Sequence, residues 1–172
     1  MRRALQLLLP LAALIAAAAV LVLQASAGVA SDGNKLQATF TPSQFISSTS
    51  GAGIVEVIVS GAGTVNGFGA ATDVVGLVQD HAVSPCGTGS YTDTASRRIS
   101  LAGGLLILHE AGETCQSNGA LEATATYSVD GQASTGIFAG AEGTGSVTVT
   151  GIGTPNQTET LSGKLKLANT GS

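Results

Sequence analysis

The sequence predicts an all-β protein, an antiparallel barrel or sandwich of about eight strands that follows an N-terminal signal-peptide helix. Three observations predict this fold. Apolar and polar residues alternate with a period of two in several segments, as they do in half-buried strands. Stretches rich in Gly, Asn, Asp and Ser separate these segments, as turns do. After the leader, no segment of helical length shows the 3.6-residue period of an amphipathic helix.

The N-terminus has the features of a secretory signal peptide at residues 1–27. Arg2 and Arg3 precede a nearly continuous apolar run, and Ala25-Ser26-Ala27 supplies the small residues of a cleavage site. No Cys follows the run, so export without lipidation is expected. The run approaches the ~20 residues that span a bilayer, and an uncleaved membrane anchor is therefore the alternative.

The rest of the chain divides into a short N-terminal segment, one β-barrel domain and a C-terminal tail. These are residues 28–34, 35–168 and 169–172. A chain of this size suits one domain with its own core. With the leader removed, we expect a secreted or cell-surface protein.

Within the domain, the clearest strand lies at 121–129, where Leu, Ala, Tyr and Val alternate with Glu, Thr and Ser. The same alternation marks three further segments, at 35–41, 146–150 and 160–167. Residues 54–59 and 105–108 are apolar at successive positions, which predicts strands that are buried on both faces or that line a closed barrel. Between them, the polar stretch 79–98 is predicted as a long loop, and residues 110–118 as a turn.

Charge and aromatic content exclude some classes of partner. Without the leader, five basic residues remain against 11 acidic ones, a net charge of about −6. Such a chain repels phosphate backbones, and nucleic acid is not an expected partner. The chain has no Trp and only two Tyr, so it lacks the aromatic platforms that single-strand binders use.

Cys86 and Cys115 are the two cysteines of the chain, an even number in an exported protein. We predict a disulfide between them that ties the 79–98 loop over one barrel mouth. An alternative gathers both cysteines with His81 and His109 into a zinc site, although neither spacing is that of a standard finger. No metal and no cofactor are predicted.

The same region contains a candidate rim site formed by His81, His109 and Glu110. If the disulfide joins the two loops, His81 would meet Glu110, or His109 would meet Asp80, as an acid–base pair. The simpler interpretation makes His81 a loop residue and His109 the end of a strand. No catalytic residue is predicted.

Other polar residues are assigned by type and surroundings. Five acidic residues are expected to be solvated: Asp73, Asp93, Glu113, Asp130 and Glu142. If the barrel is a catalyst, it requires a buried carboxylate or Tyr, and the candidates for that group are Glu56, Tyr91, Glu122 and Tyr127.

A glycine-rich motif lies in the segment 134–151 and consists of Gly136, Phe138, Gly140, Gly143 and Gly145. Glycine is used where φ is positive or where strands bend at a barrel corner. The spacing differs from that of a dinucleotide fingerprint or a P-loop, and no Lys follows. The motif is therefore predicted to be structural.

The motif TGIFAGAEGTGS at 135–146 resembles the G-G-T-G-x-F-x-G-A-x-G-x-G signature of secreted bacterial proteins similar to the allene oxide cyclase and dirigent β-barrel superfamily. Phe138, Ala141 and Gly143 fit the pattern of plant dirigent proteins, whereas Glu142 stands where that family has Arg. The resemblance implies an eight-stranded antiparallel barrel with an apolar cavity, and an oligomer in some members. Plant members cyclise a fatty-acid epoxide or steer phenoxy-radical coupling. Their acidic functional residues have no counterparts that can be placed on this chain.

Three functions remain open. The first is non-enzymatic binding of a small apolar molecule or a surface role, which requires an interior cavity. The second is cyclase- or dirigent-like action on a reactive apolar molecule, which requires a buried carboxylate or Tyr in that cavity. The third is a self-associating or adhesive wall protein, which predicts a filled interior, an exposed apolar patch and a homo-oligomer.

Overall fold

The computed structural model describes residues 35–168. The predicted signal peptide 1–27, the segment 28–34 and the tail 169–172 lie outside these residues. Eight strands and one 3₁₀ helix, Gly136–Phe138, make up the described chain. The strands are β1 (Leu36–Thr49), β2 (Ile54–Val65), β3 (Gly69–Asp80), β4 (Tyr91–Leu101), β5 (Gly104–Ser117), β6 (Ala120–Val129), β7 (Thr144–Thr150) and β8 (Thr158–Gly163).

The strands form a closed antiparallel barrel in which each strand pairs with its neighbours in sequence. The barrel closes between β8 and β1, in a register that runs from Leu36 opposite Gly163 to Phe40 opposite Glu159. This register pairs residues 36–40 of β1 on both sides, whereas residues 41–49 pair with β2 alone within the described part of the chain. The all-β prediction is confirmed, and the architecture is the barrel rather than the sandwich.

The alternating pattern places one set of side chains inside the barrel, and the closed end of the barrel is packed with apolar ones. The fully buried apolar side chains here are Leu36, Phe40, Val65, Ile99, Leu106, Leu108, Phe138 and Leu161. At about 25 cal/mol per Å² of apolar surface, this core is the main stabilising contribution to the fold.

The glycine-rich motif closes this end of the barrel. Phe138 is fully buried, and its ring centroid lies 5.2 Å from that of Phe68 in the β2–β3 turn. Gly136 and Gly140 have φ values of 64° and 71°, which suit glycine. Gly145 faces the barrel interior, where a Cβ would collide with the ring of Tyr127. The motif thus fills this end of the barrel with the Phe138 ring and leaves room for the Tyr127 ring. Residues 134–143, which carry Phe138, are called the plug segment below.

Gly143 belongs to the same motif and lies against the backbone of the C-terminal segment. A Cβ at this position would collide with the Lys164 carbonyl. The neighbouring Glu142 pairs with Lys166 through two backbone hydrogen bonds of 2.9 and 2.7 Å. Glycine at 143 therefore allows the plug segment to pack closely on the end of the chain.

The predicted loop and turn between β3 and β6 are both wrong in extent. β3 continues to Asp80 and β4 begins at Tyr91, so only residues 81–90 form a loop. The predicted turn 110–118 is mostly the second half of β5, which ends at Ser117. The apolar–polar alternation of β4 and β5 is interrupted here, because some of their inward-facing positions carry charged residues.

The two strands that are apolar at successive positions differ from each other. In β2, Ile58 is 50% exposed, so this strand lines the closed barrel, as one of the two alternatives predicted, and is not buried on both faces. In β5, Leu106, Ile107 and Leu108 are all buried, as predicted. Ile107 points outward but is only 5% exposed, and residues 130–135 run beside this part of β5, where Ser134 Oγ accepts a hydrogen bond of 3.0 Å from the Ile107 N–H. Among the described residues, no helix is long and apolar enough to cross a membrane.

Candidate functional site

A cavity of about 130 Å³ occupies the end of the barrel opposite the Phe138 plug. Antiparallel order brings the loops after β1, β3, β5 and β7 to this end. The cavity walls are mainly apolar and include Val57, Val59, Val75, Leu77, Val147 and Val149. Phe45, which is 51% exposed, and Ile152 also line it. The cavity therefore combines an apolar wall with access from the loop end.

The floor of the cavity is a buried ionic cluster around Arg97, which is only 2% exposed. The side chain extends from the middle of β4 across the interior. Its Nε donates to Glu110 Oε1 at 2.5 Å on the neighbouring strand β5. Its Nη1 donates to Asp73 Oδ2 at 2.5 Å and to Glu159 Oε2 at 2.7 Å. One guanidinium thus connects carboxylates from β3, β5 and β8.

Two of the three carboxylates bound to Arg97 line the cavity, and the third does not. Glu110 and Glu159 line the cavity together with Arg97. Asp73 lies beside Gly61, its register partner on β2, where a Cβ would come within 3.0 Å of the Asp73 carboxylate. Glycine at position 61 thus leaves room for this carboxylate.

Burial and mutual repulsion change the pKa values in this cluster. Burial raises the pKa of Asp73 to about 6, and the charges of Glu159 and Glu110 add to this effect while Arg97 offsets part of it. Burial alone would lower the pKa of Arg97, but the three carboxylates outweigh it and hold that pKa above its ordinary value. Asp73 therefore titrates near neutral pH, whereas Arg97 stays charged.

A fourth buried carboxylate, Asp93, lies on the cavity wall apart from the Arg97 cluster. Its Oδ2 accepts a hydrogen bond of 2.6 Å from Thr114 Oγ1. Its Oδ1 is buried and has no hydrogen-bond donor among residues 35–168. Burial raises the pKa of Asp93, and Thr114 and the neighbouring Gln79 amide partly offset the rise.

Two tyrosines face the interior at different depths, as expected from the sequence. Tyr91 lines the cavity, and burial is the main cause that raises its pKa. Tyr127 is buried on the core side, and its hydroxyl has no hydrogen-bond partner among the described residues. Burial, with a smaller contribution from the Glu110 charge, raises the pKa of Tyr127 to about 12. Both phenols are therefore neutral at physiological pH.

The structure does not bring His81, His109 and Glu110 together as one rim site. His81 lies in the loop after β3, with its ring centroid 4.3 Å from that of Tyr91. His109 lies within β5 rather than at its end, points outward, and contacts Asp130 Oδ2 through Nε2 at 3.1 Å. Glu110, the next residue, points inward to Arg97.

Cys86 and Cys115 form the predicted disulfide, with Cα atoms 5.7 Å apart. It ties the 81–90 loop to β5 at the open end of the barrel, beside Thr114. Ser90 supports the loop, because its Oγ accepts from the Cys86 N–H at 3.0 Å and donates to the Gly87 carbonyl at 2.6 Å. The zinc alternative does not agree with this arrangement, since both thiols are used in the disulfide.

The sequence interpretation missed the ionic cluster. Asp73 and Asp93 were expected to be solvated, but they are 3% and 9% exposed, so that expectation is wrong. Glu56 and Glu122, expected as interior groups, are exposed on the outer face. The alternation of the strand contains this information. Asp73 lies two residues from Ala71 and two from Val75, so it faces the interior as they do.

Together these features define a disulfide-bonded antiparallel β-barrel with an internal cavity whose floor is charged. Comparisons with protein-family models, with curated proteins and with solved structures found no match to this chain.

Proposed function

We propose that this protein is exported and binds a small, mainly apolar molecule in the open end of its barrel. The observation that supports this proposal is the apolar-walled cavity with a few polar groups at its floor, the usual composition of a small-molecule site. Its volume of about 130 Å³ is close to the ~150 Å³ of a cavity known to bind benzene. The ligand group inside the barrel would therefore be about the size of one aromatic ring.

The disulfide supports the export part of the proposal. Disulfides persist in oxidising compartments, and the predicted leader gives the route to one. The resemblance of the plug motif to the allene oxide cyclase and dirigent superfamily is compatible with use of the barrel interior. It remains a resemblance of architecture, and a shared fold leaves the function open.

A second candidate function is cyclase- or dirigent-like chemistry on a reactive apolar molecule. The observation that favours it is that Glu110 and Glu159 line the cavity while hydrogen-bonded to Arg97. A carboxylate in such a position is suited to proton transfer, and a guanidinium stabilises developing negative charge. The raised pKa of Asp73 would tune this cluster near neutral pH.

Self-association remains a prediction with partial support. The outer face of β1–β3 exposes Ile46, Ile58, Val74 and Val78, each by more than 40%. Ile46 and Ile58 are direct partners across the two strands. The interior, however, contains a cavity and is not filled as this alternative expected.

A cavity-filling variant with a matched control tests the binding proposal. Val75 faces the cavity and is 4% exposed, whereas its neighbour Val74 faces outward and is 42% exposed. Binding of toluene is measured by NMR chemical-shift changes in the protein and in the Val75→Phe and Val74→Phe variants. We expect saturable binding to the protein and to Val74→Phe, and loss of binding in Val75→Phe.

Two results would count against binding in the barrel. One is the absence of saturable shifts in the unmodified protein. The other is unchanged binding to a folded Val75→Phe variant. Native mass spectrometry of protein from its own host adds a second test, because a bound molecule recovered unchanged supports binding, whereas a transformed one supports the catalytic candidate.

A further inference from the structure

We infer that the ligand carries an ammonium group on its apolar body and that Asp93 binds this group. The inference rests on the proposed function and specifies the chemical class of the ligand. It depends on three observations: the excess of carboxylates around the cavity, the unpaired oxygen of Asp93 and the position of Asp93 on the cavity wall.

The first observation is the charge inside the barrel. Four carboxylates are buried there, on Asp73, Asp93, Glu110 and Glu159. Arg97 is the buried cation among residues 35–168. Buried charges are costly unless they are paired, so the interior has more anionic groups than one guanidinium can neutralise. A cavity with such walls attracts cations and repels anions.

The second observation is that Asp93 accepts no hydrogen bond from Arg97. The three carboxylates bound to Arg97 come from other strands. Asp93 has a single side-chain partner, the Thr114 hydroxyl on Oδ2, and Oδ1 has no donor in residues 35–168. Gln79 lies directly opposite on β3, near enough for its amide to lower the pKa of Asp93, but the amide does not reach hydrogen-bond geometry to Oδ1. A buried acceptor without a donor is unusual in folded proteins.

The third observation is that the cavity gives a ligand access to this carboxylate. Asp93 and Thr114 line the cavity, next to apolar positions such as Leu77 and Ala95. An ammonium has three N–H donors, so one can bond to Asp93 Oδ1 while the apolar body packs on the valine-rich wall. The Gln79 side-chain carbonyl on the same wall is a second acceptor. A carboxylate ligand would be repelled by Asp93, and the Arg97 guanidinium in the same cavity already binds three carboxylates.

The test compares three probes of the same size: benzylamine, benzyl alcohol and benzoate. Affinities are measured at pH 7 by isothermal titration calorimetry or NMR. We expect benzylamine to bind about 10- to 100-fold more tightly than benzyl alcohol, the range of a charge-assisted hydrogen bond. Benzoate should bind more weakly than either.

Two variants assign the effect to Asp93. Asp93→Asn removes the charge but keeps the shape, and Glu122→Gln makes the same charge change on the exposed outer face of β6. In Asp93→Asn the preference for benzylamine should disappear while affinity for benzyl alcohol changes by no more than about twofold. Glu122→Gln should retain the full preference, since its carboxylate is outside the barrel and screened.

The outcomes separate this inference from the proposed function. If toluene and benzyl alcohol bind in the cavity but benzylamine has no advantage, the ammonium assignment is overturned and the binding proposal stands. The same holds if Asp93→Asn keeps the preference, or if benzyl alcohol binds best because a protonated Asp93 donates to it. If none of the probes binds, both proposals fail.

Discussion

The stability of this barrel should increase when the pH falls from 7 to 4.5, because Asp73 is buried beside other carboxylates. Its pKa is about 6 in the folded protein and 3.8 at its ordinary value. At pH values between these two pKa values, Asp73 is mostly protonated in the folded protein and mostly ionised in the unfolded chain. Folding is therefore linked to proton uptake, and the free energy of unfolding rises as the pH falls.

The size of the effect follows from the two pKa values. A difference of this size corresponds to about 3 kcal/mol at most. Between pH 7 and pH 4.5, proton linkage gives about 2 kcal/mol from Asp73 alone. The charged groups that face Asp73 are Arg97, Glu110 and Glu159, and Arg97 stays charged throughout this range. Burial raises the pKa of Asp93 too, which adds a contribution of the same sign.

Urea unfolding followed by far-ultraviolet circular dichroism, with the disulfide intact, measures this effect at both pH values. The comparison is with Asp73→Asn, which keeps the shape and a hydrogen-bond acceptor but cannot titrate. The protein should gain about 2 kcal/mol more than the variant between pH 7 and pH 4.5. Asp93 titrates in both proteins, so its contribution cancels. Equal pH dependence in the two proteins, or a larger gain in the variant, would refute the reasoning.

Two further predictions concern the ionic cluster and the glycine motif, and urea unfolding at pH 7 measures both. Arg97→Met leaves buried carboxylates without their cation and should lower the free energy of unfolding by about 3–5 kcal/mol. Arg98 is exposed on the outer face, so Arg98→Met should change it by no more than about 0.5 kcal/mol. Similar losses in the two variants would contradict the buried cluster. Gly145→Ala forces a Cβ into the Tyr127 ring and should cost about 1–3 kcal/mol. At Gly76 the nearest atom to an added Cβ is 4.0 Å away, so Gly76→Ala should be nearly neutral, and an equal loss in both variants would disprove the packing role of Gly145.

Much of the fold could be predicted because its signals are local. Alternation in 121–129 and 35–41 identified β6 and β1, and the cysteine pair identified the disulfide that forms. In the glycine motif, Phe138 is buried at one end of the barrel and Gly145 leaves room for Tyr127. These features depend on residue type and spacing over short distances.

The candidate site was predictable only in small part. Of the four candidates for a buried acidic or phenolic group, Tyr91 and Tyr127 are buried in the interior, whereas Glu56 and Glu122 are exposed on the outer face. In β4, Asp93 and Arg97 occupy inward positions among small and polar residues, so the strand had no continuous apolar face to recognise. The strand was therefore interpreted as part of a loop.

The sequence by itself determined the strand-rich fold and the pairing of its two cysteines, because the first depends on local pattern and the second on a count. Only the tertiary structure decided that Asp73, Glu110 and Glu159 meet at Arg97 and that Asp93 faces a cavity. Asp73 and Glu159 are 86 positions apart in the chain, and their contact with one guanidinium depends on the closure of β8 onto β1 and on the register of every pair between them. A shift of one residue in β3, β5 or β8 would turn the carboxylate of that strand to the outer face, so no local pattern can report that the three meet.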